Sequence, residues 1–213
     1  MPNKKVPLIY SFAKSVLSFY CKIVYKAKYI GTENIPTTGA VILVSSHVTA
    51  LDPMMLGGAC PRQVHFMAKD SLFKNKIAGY FIRKVGTFPV VRGTGGEDAL
   101  QNAYDILSDQ KVVGIFFEGT RSKDGELLRP KTGASLVAYK TRATVVPVSI
   151  IGKDGKIPQK HKGTVVNIGK PIPFEDLNMS DESSMHYRRG AKVIMGEVAR
   201  LRQEAIDMME VDS

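Results

Sequence analysis

The chain has 213 residues, enough for one domain with a sizeable core, and carries a formal charge of +10. The charge is uneven: residues 1–96 hold thirteen Lys and Arg against Glu33, Asp52 and Asp70, whereas residues 97–213 hold seventeen of each sign. The whole excess therefore lies in the first part of the chain and suits an anionic partner: a membrane surface, nucleic acid or a phosphorylated substrate. Cys21 and Cys60 stand without Cys-x-x-Cys spacing or clustered histidines, which argues against a zinc site or a disulfide framework and for a reducing compartment.

From Val6 to Tyr25 the chain is apolar but broken by Pro7, Lys14 and Lys22. Ser11, Lys14, Ser15, Ser18, Lys22 and Lys26 recur at helical spacing as one polar stripe, and Leu8, Phe12, Val16, Phe19 and Ile23 are among the apolar residues that fill the rest. The pattern predicts an amphipathic helix. Two lysines inside the run argue against a spanning helix, and the broken apolar core argues against a cleavable signal peptide. Two readings stand: a helix lying in a membrane interface, or one packed on the protein's own core. The absence of any acid before Glu33 favours the first.

After a connection over 31–39, Val41-Ile42-Leu43-Val44 predicts a buried strand, which stops at Ser45-Ser46 and delivers His47 to its end. Asp52 follows five residues on, before Pro53. A histidine at a strand end beside a helix start is where α/β folds build sites. The same Asp-Pro step also reads as an ordinary helix start, with Asp52 as N-cap and Pro53 at the first helical position. Spacing alone does not decide, because His65 and Asp70 repeat it, with His65 inside the expected strand 63–68.

Residues 69–84 suit a helix, with Leu72, Phe73, Ile77, Tyr80 and Phe81 apolar and basic residues between them; this is either a solvated face or a second membrane-facing surface. A glycine-rich turn over 93–96 lacks the spacing of a phosphate-cradling loop. A helix over 97–109, a strand over 112–117 running into Glu118-Gly119-Thr120-Arg121, a helix near 132–141, strands over 144–151 and 164–168 and a long amphipathic helix from Ser183 complete the pattern. The alternation predicts an α/β fold, a mixed and mostly parallel sheet flanked by helices.

Four stretches together carry a resemblance: Ser46-His47-Val48-Thr49-Ala50-Leu51-Asp52, Gly86-Thr87-Phe88-Pro89-Val90-Val91-Arg92, Phe116-Phe117-Glu118-Gly119-Thr120-Arg121-Ser122 and Val145-Val146-Pro147-Val148. They resemble the four ordered motif blocks of the glycerolipid acyltransferases, and the resemblance runs from about Gly31 to Pro171. Ser46 stands where the family usually has Asn, and Phe117 where it commonly has Pro. Neither change removes a reactive group.

The resemblance implies transfer of a fatty acyl group from acyl-CoA or acyl carrier protein to a lysophospholipid hydroxyl, lysophosphatidic acid being the acceptor of the members it most resembles, with no further cofactor. It implies His47 as general base and Asp52 as its orienting acid. For the glycerol phosphate it implies Arg92, Glu118, Gly119, Thr120 and Arg121, with Lys69 a lesser candidate. Glu118 has three readings: a hold on a substrate hydroxyl, an aim on an arginine, or an ion pair at a strand end. Residues 1–30 would form a membrane-interface helix and 31–213 the acyltransferase domain, seated monotopically on the cytoplasmic face against anionic lipid. An acyl-enzyme on Cys60 or Ser46 is disfavoured: Cys60 has no evident activating partner, and Ser46 points away from His47 on an extended chain. Rival readings are a thioesterase, an acyltransferase for glycerol 3-phosphate or another lysolipid, and a non-catalytic binder of acidic lipid or nucleic acid. No nucleic-acid module is recognisable.

Overall fold

The computed structural model describes residues 8–90 and 97–211. Its strands are β1 (Ala27–Ile30), β2 (Val41–Ser45), β3 (Val64–Lys69), β4 (Phe88–Val90), β5 (Val112–Phe116), β6 (Thr144–Gly152) and β7 (Thr164–Ile168). They form one sheet in the order β1-β7-β6-β2-β5-β3-β4. β4, β3, β5, β2 and β6 run parallel; β7 is antiparallel to β6, and β1 is parallel to β7.

The helices are α1 (Leu8–Val24), α2 (Asp52–Ala59), α3 (Lys76–Lys84), α4 (Glu97–Ser108), α5 (Gly133–Thr141) and α6 (Ser184–Val211). β2 is buried along its whole length because both of its faces are covered. Val41 and Leu43 join Met55, Leu56 and Cys21 beneath α1 and α2, while Ile42 and Val44 join Leu107, Val137, Ala138 and Ile194 beneath α4, α5 and α6. The long helix α6 packs through His186, Gly190, Ala191, Ile194, Val198, Leu201 and Ala205, one side of a 3.6-residue period, as its pattern predicts.

Three local features depart from expectation. Ala27–Ile30 is an edge strand, where no strand was expected. Residues 69–84 do not form one helix: a 3-10 turn over Asp70–Phe73 precedes α3. Asn75 Oδ1 accepts from Ile77 N at 3.0 Å and starts α3 afresh, and Gly79 lets the Phe73 carbonyl lie close, since a Cβ there would stand 2.7 Å from that oxygen.

Finally, Asp52 is the first residue of α2 and Leu51 is its N-cap, with no side-chain cap. The Asp52 carboxylate turns back onto the preceding loop instead of forward onto the helix N–H groups.

Candidate active site

Parallel strands end together, so β2, β5 and β3 bring His47, the turn from Glu118 and Lys69 to one edge of the sheet. At about 4.8 Å per strand, the β2 and β3 ends stand about 10 Å apart.

His47 Nδ1 lies 2.7 Å from Asp52 Oδ2. The same oxygen accepts from Val48 N at 2.6 Å and Thr49 N at 2.9 Å, while Thr49 Oγ1 donates to Asp52 Oδ1 at 2.6 Å. Thr49 Oγ1 in turn accepts from Leu51 N at 3.0 Å. Asp52 is fully buried, and its carboxylate is satisfied by this loop. With Nδ1 turned to the carboxylate, Nε2 is the ring nitrogen left to take a proton. The His47 side chain keeps 20% of its exposure, enough for a substrate to reach it.

The imidazole is also held by its face. It stacks on Phe116 at 4.1 Å and 18°, and Phe116 stacks on Phe66 at 6.0 Å and 13°. Gly114 makes room for this column, because a Cβ there would enter the Phe66 ring, 2.6 Å from Cδ1.

Glu118 is buried, and among the described residues no arginine or lysine forms an ion pair with it. Its Oε2 accepts from His47 N at 3.2 Å and its Oε1 from Leu128 N at 3.0 Å. The carboxylate thus ties the histidine's backbone to the loop after β5. Burial pushes its pKa above the usual carboxylate range, against the downward pull of these two bonds. Phe117 N donates to Ser45 O at 3.2 Å and Ser122 N to His47 O at 2.7 Å, which lays the turn alongside the end of β2. Gly119 sits in the turn at φ 69°, and Thr120 and Arg121 are exposed there. Lys69 is exposed at the end of β3. Arg92 lies outside the described residues.

The second histidine is placed otherwise. His65 lies within β3, half-buried, with Nδ1 3.1 Å from Val112 O and no bond to Asp70. Burial, with Lys111 nearby, pushes its pKa below the usual histidine range. Cys60 is buried, its thiol pKa is pushed up by desolvation, and its carbonyl accepts from the Lys14 ammonium. Among the described residues no group of His, Cys, Asp and Glu could hold a metal ion.

Sequence reasoning missed Phe116, Phe66 and Thr49 as supports of His47. Gly114, a glycine inside an apolar strand, was the available signal of a close approach.

A buried carboxylate orienting a half-exposed histidine, at the carboxyl edge of a parallel sheet and beside an arginine-bearing turn, defines a site able to deprotonate a hydroxyl near an anion. The family model described as Acyltransferase matches residues 26–151, and the chain belongs to this acyltransferase family. It is 32% identical over 171 residues to 1-acyl-sn-glycerol-3-phosphate acyltransferase of Bacillus subtilis (strain 168), covering 79% of this chain and 85% of that one. It is 33% identical over 189 residues to the enzyme of the same name from Streptococcus pneumoniae, covering 84% and 67%. Among solved structures, the 1-acyl-sn-glycerophosphate (LPA) acyltransferase PlsC from Thermotoga maritima superposes with a TM-score of 0.71 at 26% identity, over 92% of this chain and 78% of that chain.

Proposed function

We propose that this acyltransferase moves a fatty acyl group from an acyl thioester to the sn-2 hydroxyl of lysophosphatidic acid, giving phosphatidic acid. The observation that carries the reading is the 2.7 Å pair of His47 Nδ1 and Asp52 Oδ2 on the sheet edge that also bears Arg121. The names of the relatives support the acceptor.

His47 Nε2 takes the proton of the substrate hydroxyl as its oxygen attacks the thioester carbonyl. Asp52 fixes the imidazole tautomer and stabilises the imidazolium. Collapse of the tetrahedral intermediate breaks the carbon–sulfur bond, and the imidazolium returns its proton to the departing thiolate. The hydroxyl belongs to the substrate, so no enzyme nucleophile is needed. Arg121 pairs with the acceptor phosphate, Lys69 and Arg92 add positive charge, and the Gly119-Thr120 turn shapes the approach. Glu118 acts through its two backbone bonds, as a positioning residue. Acyl-CoA or acyl carrier protein supplies the thioester, and no other cofactor takes part.

The enzyme sits monotopically on the cytoplasmic face of a membrane. Among the described residues no helix is long and apolar enough to cross a membrane. α1 turns Tyr10, Lys14 and Cys21 toward the protein and leaves Leu8, Phe12, Val16, Phe19 and Ile23 exposed. Leu72, Ile77, Tyr80 and Phe81 are exposed as well, among the basic residues of 69–84. A cleft of about 730 Å³ beyond the end of α1, lined in part by Lys26, Lys28, Lys153 and Lys162, adds basic surface. These features support α1 as the interface element and anionic lipid as partner, while β1 places residues 27–30 of the expected segment 1–30 in the sheet of the acyltransferase domain with 31–213.

The test is to supply an acyl thioester with lysophosphatidic acid, glycerol 3-phosphate, other lysophospholipids or water alone. Ester formation greatest with lysophosphatidic acid is expected; release of fatty acid with water as the main product would make the protein a thioesterase. Absence of binding to anionic vesicles at physiological salt would remove the membrane seat.

A further inference from the structure

The loop after β5 returns to the candidate site at Lys131, outside the four motif blocks. Lys131 N donates to Phe117 O at 2.8 Å, which pins its backbone beside the end of β5. Its side chain then runs across Gly119. A Cβ on that glycine would stand 2.9 Å from Lys131 Nζ, 3.0 Å from Cδ and 3.1 Å from Cε. Gly119 thus serves two needs: the backbone angle of the turn, and room for the outer half of a lysine.

The ammonium consequently rests over the residue that follows Glu118, whose Oε2 holds His47 N. Among the described residues no carboxylate pairs with Lys131. The adjacent Glu118 has one oxygen on His47 N and the other on Leu128 N. A cation with its stem laid along a turn and its head uncompensated, on the edge that carries His47 and Arg121, is suited to a multiply charged oxyanion.

We infer that Lys131 is a further substrate-binding residue, whose ammonium pairs with the acceptor phosphate over the Gly119 turn that also carries Arg121. The inference rests on the acceptor reading given above. Lys131 acts as a point charge that draws the phosphate onto the Gly119 turn. Because the phosphate carries its charge before and after acyl transfer, the pairing is equally strong in the ground and transition states, and it lowers KM more than it raises kcat.

The experiment measures steady-state kinetics with an acyl thioester and lysophosphatidic acid for wild type, Lys131→Met and Lys131→Arg, with thermal melting of each. For Lys131→Met the expected result is a KM for lysophosphatidic acid raised roughly 10- to 100-fold, as for loss of a charge-assisted hydrogen bond. Its kcat should stay within about threefold. Lys131→Arg should recover most of the loss, a response that a purely structural role does not give. An unchanged KM overturns the inference and leaves the acceptor reading intact. So does a fall in kcat at constant KM, which would place the ammonium on the collapsing thioester. Wild type without turnover on lysophosphatidic acid overturns the acceptor reading itself. If Lys131→Met melts early, the pair Lys131→Gln and Lys131→Arg decides by the same KM comparison.

Discussion

Asp52 Oδ2 stands 2.7 Å from His47 Nδ1 while accepting two backbone N–H groups of the intervening loop, so the carboxylate both builds the loop and aims the ring. The two functions predict different penalties for the two residues. His47→Ala should lower turnover by roughly 10²- to 10⁴-fold with little change in melting. Asp52→Asn should lower turnover and also destabilise by about 1–3 kcal/mol, because an amide cannot accept at every position that the buried carboxylate does. His65→Ala should keep its turnover. Loss of transfer in the His65 variant with retention in the His47 variant would reverse the assignment.

Glu118 gives a prediction in pH. Its carboxyl is raised by burial, so between its unfolded and folded values the native state binds more protons than the unfolded chain. Its contribution to stability therefore falls as pH rises through and above the ordinary value of 4.5. The unfolding free energy of wild type minus that of Glu118→Gln should decline over that range in denaturant titrations. A difference that climbs with pH would show the charge to be net stabilising. Turnover of the variant should fall at every pH, since a glutamine can accept only one of the two backbone bonds through its single oxygen.

The aromatic column can be disturbed from its far end. Gly114→Ala places a methyl group against the Phe66 ring and should cost about 1–3 kcal/mol as overpacking. The push passes through Phe116 to the imidazole and should lower turnover as well. Adding Phe66→Leu should relieve part of both effects in a double-mutant cycle. Additive losses would mean that the rings are neighbours without being coupled.

Cys60 supplies a negative control. Its thiol is buried and its pKa raised, so it lacks the thiolate character of a nucleophile. Cys60→Ala should retain transfer, and no acyl group should be trapped on the protein. A stable thioester at this position would replace direct transfer by a two-step route.

The outer face of α1 can be made polar without disturbing the core. Phe12→Ser together with Phe19→Ser should reduce sedimentation with anionic vesicles and leave the melting temperature unchanged, because both rings are exposed. A lower melting temperature with unaltered vesicle binding would make that face a packing surface.

The central strands were legible because runs such as 41–44 and 112–113 are apolar on both faces, which fits a strand buried between two layers of helices. His47 was legible as a strand-end residue for the same reason. β1 was not: Ala-Lys-Tyr-Ile is short, follows α1 closely, and gains its identity from pairing with Thr164–Asn167, far along the chain. The support of His47 by Phe116 and Phe66 was equally hidden, since it joins three strands through a ring contact that no spacing encodes. Asp52 looked like a forward helix cap because the dipeptide Asp-Pro has that meaning locally. Its carboxylate turns backward because four donors of the 47–49 loop lie on that side.

Two side chains fasten α1 to the protein: Tyr10 Oη accepts from Val64 N and donates to Arg62 O, and the Lys14 ammonium reaches the Cys60 carbonyl at the end of α2. The helix is therefore already formed and fastened before its outer residues meet anything. A segment that orders only on contact must spend part of its contact energy on that ordering. If that face partitions into lipid as proposed, the ordering entropy of α1 has already been met during folding, and the strength of attachment is set by the exposed apolar area and the salt concentration.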